Sequence, residues 1–185
     1  MIADIIKDAE HRMDGAIEHA REEFGAIRTG RAHPAMFNKL LVDYYGSPTP
    51  LQQLATFQVP EARTVLISPF DRGAMAGIEK AIRDSDLGVN PANDGNVIRL
   101  VLPQLTEERR KEYIKLARHK AEETRVALRN TRRHANDAIN KLVKDKEIGE
   151  DDARGAEKQL DQLTKKHVDQ VDELLKSKEA ELLEV

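Results

Sequence analysis

Residues 105–147 read LTEERRKEYIKLARHKAEETRVALRNTRRHANDAINKLVKDKE, a run without Pro or Gly. Within it Ile114, Ala117, Ala121, Thr124, Leu128, Thr131, Ala135, Ala138 and Leu142 recur at alternating spacings of three and four. That spacing is the seam of a helix packed lengthwise against near-parallel partners, so the run predicts one long helix in a bundle. At about 1.5 Å per residue it extends on the order of 60 Å, too long for the interior of a compact globule of this size, and predicts an elongated molecule.

The partners lie on either side of it in the sequence. Towards the N-terminus, Ile2, Ile6, Ala9, Met13, Ala16, Ala20, Phe24 and Ile27 form one apolar stripe, predicting a second long helix. Gly30 is expected to cap it in the left-handed conformation, and His33-Pro34 to forbid its continuation. Beyond KDKEIGEDDARG, Leu160, Leu163, Val168, Val171, Leu175 and Leu182 mark a third helix. Thr106, followed by Glu107 and Glu108, is a suitable N-cap for the central one. Three antiparallel helices are therefore expected.

Between the first and second helices the period changes from helical to alternating. NKLLVDYY, TFQVPEARTVLISPF and residues 97–102 read as strands separated by Gly and Pro turns, and Met75, Ile78 and Ile82 form the face of one short helix. LGVNPANDGN reads as a loop. These segments predict a small inserted α/β domain over residues 31–104, with residues 1–30 and 105–185 forming a discontinuous bundle. Two connections, near 29–35 and 102–106, would tether the insert. Thr29, Gly30, Arg31, Pro103, Gln104, Leu105 and Thr106 are then the expected hinge residues.

Composition bounds the function classes. The 185 residues are 34% charged and 4% aromatic and contain no Cys, which removes a disulfide framework and any thiolate metal site or Cys nucleophile. No stretch is long and apolar enough to span a membrane, and the opening MIADIIKDAEHR lacks the pattern of a signal peptide; a cytoplasmic protein without membrane partners is expected. None of the common phosphate-loop, dinucleotide, nucleophile-elbow or zinc-helix patterns occurs, so neither enzymatic activity nor a cofactor is expected. His119 and His134 have no second ligand four residues on, and the acids Asp145, Glu147, Glu150, Asp151 and Asp152 lack the alternation of a calcium loop.

Charge is distributed unevenly along a chain whose net value is -3. Residues 105–146 hold 13 Lys and Arg against 7 Asp and Glu, whereas residues 1–30 hold 4 against 7 and residues 150–185 hold 6 against 11. On the central helix Lys115, Arg118, Arg125, Arg129 and Arg132 each follow a seam position by one residue, which places them in a stripe about 100° from the core. Two readings compete: ion pairs with the acidic neighbouring helices, or contact with an extended polyanion. Arg predominates, which suits bidentate phosphate contact, and no aromatic residue is interleaved to stack on bases, so the second reading means structured RNA. The cluster Arg129, Arg132 and Arg133, with only Asp137 near, favours RNA there. A coiled-coil scaffold and an RNA-binding module remain open on these residues alone.

Several stretches, in order, resemble one family over the whole chain: IRTGRAHPAM (27–36), YYGSPTPLQQLA (44–55), DLGVNPANDGNVIRLVLPQLTEERRKE (86–112), LRNTRRHAND (128–137), KDKEIGEDD (144–152) and KEAELLE (178–184). The family is that of the ribosome recycling factors. The resemblance implies an L-shaped α+β two-domain monomer, an elongated antiparallel three-helix bundle carrying a small α/β domain. It also implies a role after termination, when the factor enters the intersubunit space of the ribosome and elongation factor G with GTP drives the subunits apart. By resemblance Arg110, Arg129 and Arg132 contact large-subunit RNA, to which the stripe reading adds Arg118, Arg125 and Arg133. The small domain and hinge face elongation factor G and the small subunit. Three positions depart from the family pattern: Gln104 replaces a common second Pro, Gly149 a common Ser, and His134 a common acid, implying a freer hinge, a weaker helix start and a more positive arginine cluster.

Overall fold

A computed structural model describes residues 1–184. The chain divides into a helical unit, Met1–Phe24 with Lys115–Glu179, and a sheet-bearing unit, Gly25–Ile114 with the C-terminal end from Ala180.

Three helices supply the helical unit: α1 (Ile2–Gly25), α3 (Glu107–Lys144) and α4 (Glu150–Leu183). Their register is antiparallel for α3 and α4, since Arg118 meets Glu179, Arg125 meets Asp172 and Arg132 meets Asp161. On the other side α1 runs antiparallel to α3 and parallel to α4: Glu23 meets Lys120, while Asp14 meets His167. The seam of α3 buries Ala117, Ala121, Leu128, Ala135 and Ile139. Alanine at so many seam positions lets helix axes approach closely, so the aliphatic core is thin. At one end Ala9, Ala135, Ile139, Ala153, Ala156 and Leu160 close into a cluster, with Ile2, Ile6, Val143 and Ile148 packed against it.

Two details of the seams differ from the sequence reading. Ile17 and Ile139 are buried where the reading chose Ala16 and Ala138, and the α4 seam runs through Thr164 and His167, both polar, rather than Leu163 and Val168. The Thr164 hydroxyl donates to the Leu160 carbonyl at 2.7 Å, so it is satisfied within its own helix. His167, 1% exposed, directs Nδ1 to the Leu163 carbonyl and Nε2 to the Asp14 carboxylate, each at 2.7 Å. The ring thus occupies a core position with an acceptor oxygen beside each nitrogen.

The end of α1 also departs from expectation. The helix stops at Gly25, Gly30 has no left-handed backbone, and residues 26–33 run as irregular chain. At Gly25 the chain packs closely on residue 35, where a Cβ would meet the Ala35 side chain at 3.3 Å. The chain turns back there on itself, and Arg28 leaves the helix line to bond elsewhere. Thr106 does cap α3 as read, accepting from Arg109 N at 3.1 Å.

In the sheet-bearing unit, β1 (Leu41–Tyr44) and β2 (Ser47–Pro50) form a hairpin. Its tip, Tyr45-Gly46, has positive φ at both positions, 49° and 81°, the backbone that a two-residue hairpin of right-handed twist requires. β3 (Ala55–Glu61), β4 (Thr64–Pro69), β5 (Ala92–Asn93) and β6 (Ile98–Val101) form an antiparallel sheet in the order β3-β4-β6-β5. The short β5 lies inside the segment expected to be loop. Helix α2 (Met75–Arg83) buries Met75, Ile78 and Ile82, the expected face, against a core that includes Phe37, Val42, Leu51, Val65, Ile67 and Leu100. Phe37 stacks on Phe57 at 5.4 Å between ring centroids.

Asp71 ties the hairpin to this core, accepting from the Tyr44 hydroxyl at 2.6 Å and from Gly73 N at 2.9 Å. Those donors hold the Asp71 carboxylate below its usual range, and the same bond pushes the Tyr44 hydroxyl up to about 12. Gly77 brings α2 onto the β1 backbone: a Cβ there would lie 2.8 Å from the Asp43 carbonyl oxygen and 3.1 Å from a Val42 methyl. Gly77→Ala is therefore expected to destabilise this unit by about 1–2 kcal/mol, the overpacking cost exceeding the gain in helix propensity. All three tyrosines, Tyr44, Tyr45 and Tyr113, lie in this unit, so urea unfolding followed by tyrosine fluorescence reports it selectively.

Candidate nucleic-acid interface

The arginine row of α3 lies beside its seam, and its partners loosen along the helix. Arg118 Nε lies 2.7 Å from Glu179 Oε1. Arg125 binds Asp172 through Nε at 3.0 Å and Nη2 at 2.6 Å and reaches Glu122 at 3.2 Å. Partial burial works against the Arg125 charge, yet the bonds to Asp172 and Glu122 raise its pKa above the usual value. Further on, Arg129 is 3.5 Å from Glu122, and Arg132 only 3.7 Å from Asp161. Arg133 and Lys115 are exposed and have no ion pair among the described residues.

Pairing along the stripe is thus uneven, tight at Arg118 and Arg125 and loose or absent further on. Arg118 and Arg125 are clamps between α3 and α4, Arg118 through one short bond and Arg125 through several. Arg129, Arg132 and Arg133 present guanidinium groups that are weakly held or free, in the cluster where the sequence favoured RNA. Long exposed pairs of this kind contribute little to folding, and exchanging them for phosphate costs little. His134 is exposed in a groove it shares with Asp4, Asp8 and Arg12 of α1. His119 pairs with Glu123 at 2.9 Å.

The expected hinge residues all fall in the sheet-bearing unit. Thr29 is buried, its hydroxyl accepting from Arg31 N at 3.3 Å. The Leu105 carbonyl accepts from Arg110 Nη2 at 3.4 Å, and Leu105 itself is buried. Gly30, Arg31, Gln104, Leu105 and Arg110 line one cleft together with Ala62, Arg63 and Glu184. Arg63 was not among the expected site residues, and neither was Arg28. Arg28 is 5% exposed; Nη1 donates to the Leu87 carbonyl at 3.0 Å and Nη2 to the Pro103 carbonyl, so a side chain just before the first connecting segment holds the second. Burial lowers its pKa from the usual arginine value. Nothing in periodicity distinguishes it from a surface Arg at a helix end.

Three long helices with a small antiparallel sheet unit, and a row of arginines along the middle helix, define a two-unit α+β protein built for binding. The model of the ribosome recycling factor family matches residues 20–183. The ribosome-recycling factor of Cutibacterium acnes is 71% identical over 184 residues and that of Kineococcus radiotolerans 68% identical over 185, each with 100% of both chains covered. A solution structure of the ribosome recycling factor superposes with a TM-score of 0.78 at 42% identity, covering 100% of this chain and 98% of that one. A model of the T. thermophilus factor, bound with E. coli elongation factor G to the E. coli post-termination complex, gives 0.71 at 40% identity with 100% of both chains covered. The chain belongs to the ribosome recycling factor family. It is a translation factor and not an enzyme. Among the described residues no helix is long and apolar enough to cross a membrane.

Proposed function

We infer that this chain binds the post-termination ribosome as a monomer in the cytoplasm and, with elongation factor G and GTP, separates the subunits for a new round of translation. The observation that carries this reading is full-length similarity to a factor described on that complex with elongation factor G. In this reading Arg129, Arg132 and Arg133, with Arg110 on the same helix, meet ribosomal RNA, while Arg118 and Arg125 chiefly hold the bundle. Residues 31–104 form the part on which elongation factor G acts, and residues 29–35 and 102–106 let it move.

Arg132→Ala should lower affinity for purified ribosomes by about three- to tenfold at low salt, with a shallower salt dependence, because each lost phosphate contact releases fewer counterions. Arg129→Ala should behave alike, and neither should change helicity or melting, since both side chains are half exposed. Unchanged affinity in both variants would restore the ion-pair reading for the whole row.

A further inference from the structure

The cleft at the connecting segments, about 320 Å³, brings together Arg31, Arg63 and Arg110 with one carboxylate, Glu184, and walls of Gln104 and Leu105. Its arginines are short of partners. Arg63 is exposed, with no side-chain hydrogen bond or ion pair among the described residues. Arg110 keeps Nε buried without any acceptor, and its Nη2 makes only the long bond to Leu105. Arg31 meets Glu184 at 3.9 Å, with both side chains more than half exposed.

The arginine at the far wall is held in place by backbone. Arg63 occupies the two-residue turn between β3 and β4, where neither residue has positive φ, so the turn does not favour the strand twist on its own. Two long-range bonds fix it instead: Ala32 N donates to the Ala62 carbonyl at 2.6 Å and Leu102 N to the Arg63 carbonyl at 2.7 Å. Each bond comes from one of the two connecting segments. The turn presents Arg63 to the cleft at a position set by the same backbone that carries Arg31 and Gln104.

Three guanidinium groups with unused N–H donors, converging on a space larger than one water and opposed by a single loosely paired carboxylate, suit a tetrahedral oxyanion with several acceptor oxygens. Arg110 shares its helix with Arg129 and Arg132, which makes the oxyanion of a nucleic-acid backbone the matching chemistry. We propose that Arg31, Arg63 and Arg110 clamp a phosphodiester of ribosomal RNA, and that Glu184 occupies the clamp in the free protein as an internal competitor which the phosphate displaces. This inference rests on the ribosome-binding reading and adds to it Arg63, from the sheet-bearing unit, and an acid that weakens binding.

The test uses the full chain with purified ribosomes over a salt series. Arg63→Ala should lower affinity about threefold or more and reduce the slope of log affinity against log salt by about one, with Arg63→Lys intermediate. Glu184→Gln should raise affinity about two- to fivefold, the range an exposed ion pair can contribute. Melting should be unchanged in all three. Arg132→Ala serves as the reference: if it weakens binding while the Arg63 and Glu184 variants equal the parent, the cleft is not an RNA site although the stripe is. Inorganic pyrophosphate titrated into the free protein separates RNA from small anions. Saturable pyrophosphate binding lost in Arg63→Ala, with ribosome affinity untouched, would overturn the assignment to RNA.

Discussion

Arg28→Ala is expected to lower the unfolding free energy of the sheet-bearing unit by about 3 kcal/mol. The guanidinium is buried and bonds the carbonyls of Leu87 and Pro103, so truncation leaves two partly buried acceptors without donors, at about 1–3 kcal/mol each, and a void where the side chain lay. Part of that loss is offset, because a buried charge with no carboxylate partner is itself costly and its removal is favourable. Arg28→Met separates the contributions: it restores most of the volume but neither bond, and should cost about half as much. Tyrosine-detected urea unfolding measures both. A loss under about 1 kcal/mol for Arg28→Ala would mean that water replaces the guanidinium at both carbonyls. The variant also bears on the connection at Pro103. Gln104 is expected by resemblance to loosen it, whereas the bond from Arg28 holds the neighbouring carbonyl whichever residue follows.

Replacing residues 31–104 by a short Gly/Ser linker is expected to abolish subunit separation while leaving ribosome binding measurable. The cluster of Ala9, Ala135, Ile139, Ala153, Ala156 and Leu160, and the clamps Arg118–Glu179 and Arg125–Asp172, lie wholly outside the deleted part. Short connections between helices are common in bundles. The ends next to the linker should fray, because Ile27, Arg28 and Leu105 are buried in the intact protein and Arg28 loses both acceptors. Affinity should fall by more than in Arg132→Ala, since Arg31 and Arg63 go with the deletion. Circular dichroism establishes the fold and sedimentation with ribosomes the binding. A folded linker variant that separates subunits as fast as the full chain would show that residues 31–104 do not couple the motor to the ribosome.

The long helices were legible because periodicity over many turns is a signal that single residues cannot spoil. Its resolution is about one position, which is why Ala138 stood in for Ile139 and Ala16 for Ile17. His167 and Thr164 escaped because a hydrophobic pattern cannot register buried polar residues with nearby partners, one of them Asp14, more than a hundred residues away. The buried face of α2 was read correctly. β5 was missed, since two residues carry no period and pair only because β6 is adjacent. For the arginine row, spacing fixed the face but not the partners: Asp172 and Asp161 lie on α4, at distances that only the antiparallel register brings about. Arg28 and Arg63 were invisible for the same reason, their importance arising from backbone groups of remote segments.

The most direct test is light scattering of purified ribosomes in post-termination complexes. With this protein, elongation factor G and GTP together, scattering should fall as subunits separate, and omission of any one of the three should leave it unchanged. Undiminished scattering with all three present, or an equal fall without elongation factor G, would contradict the account.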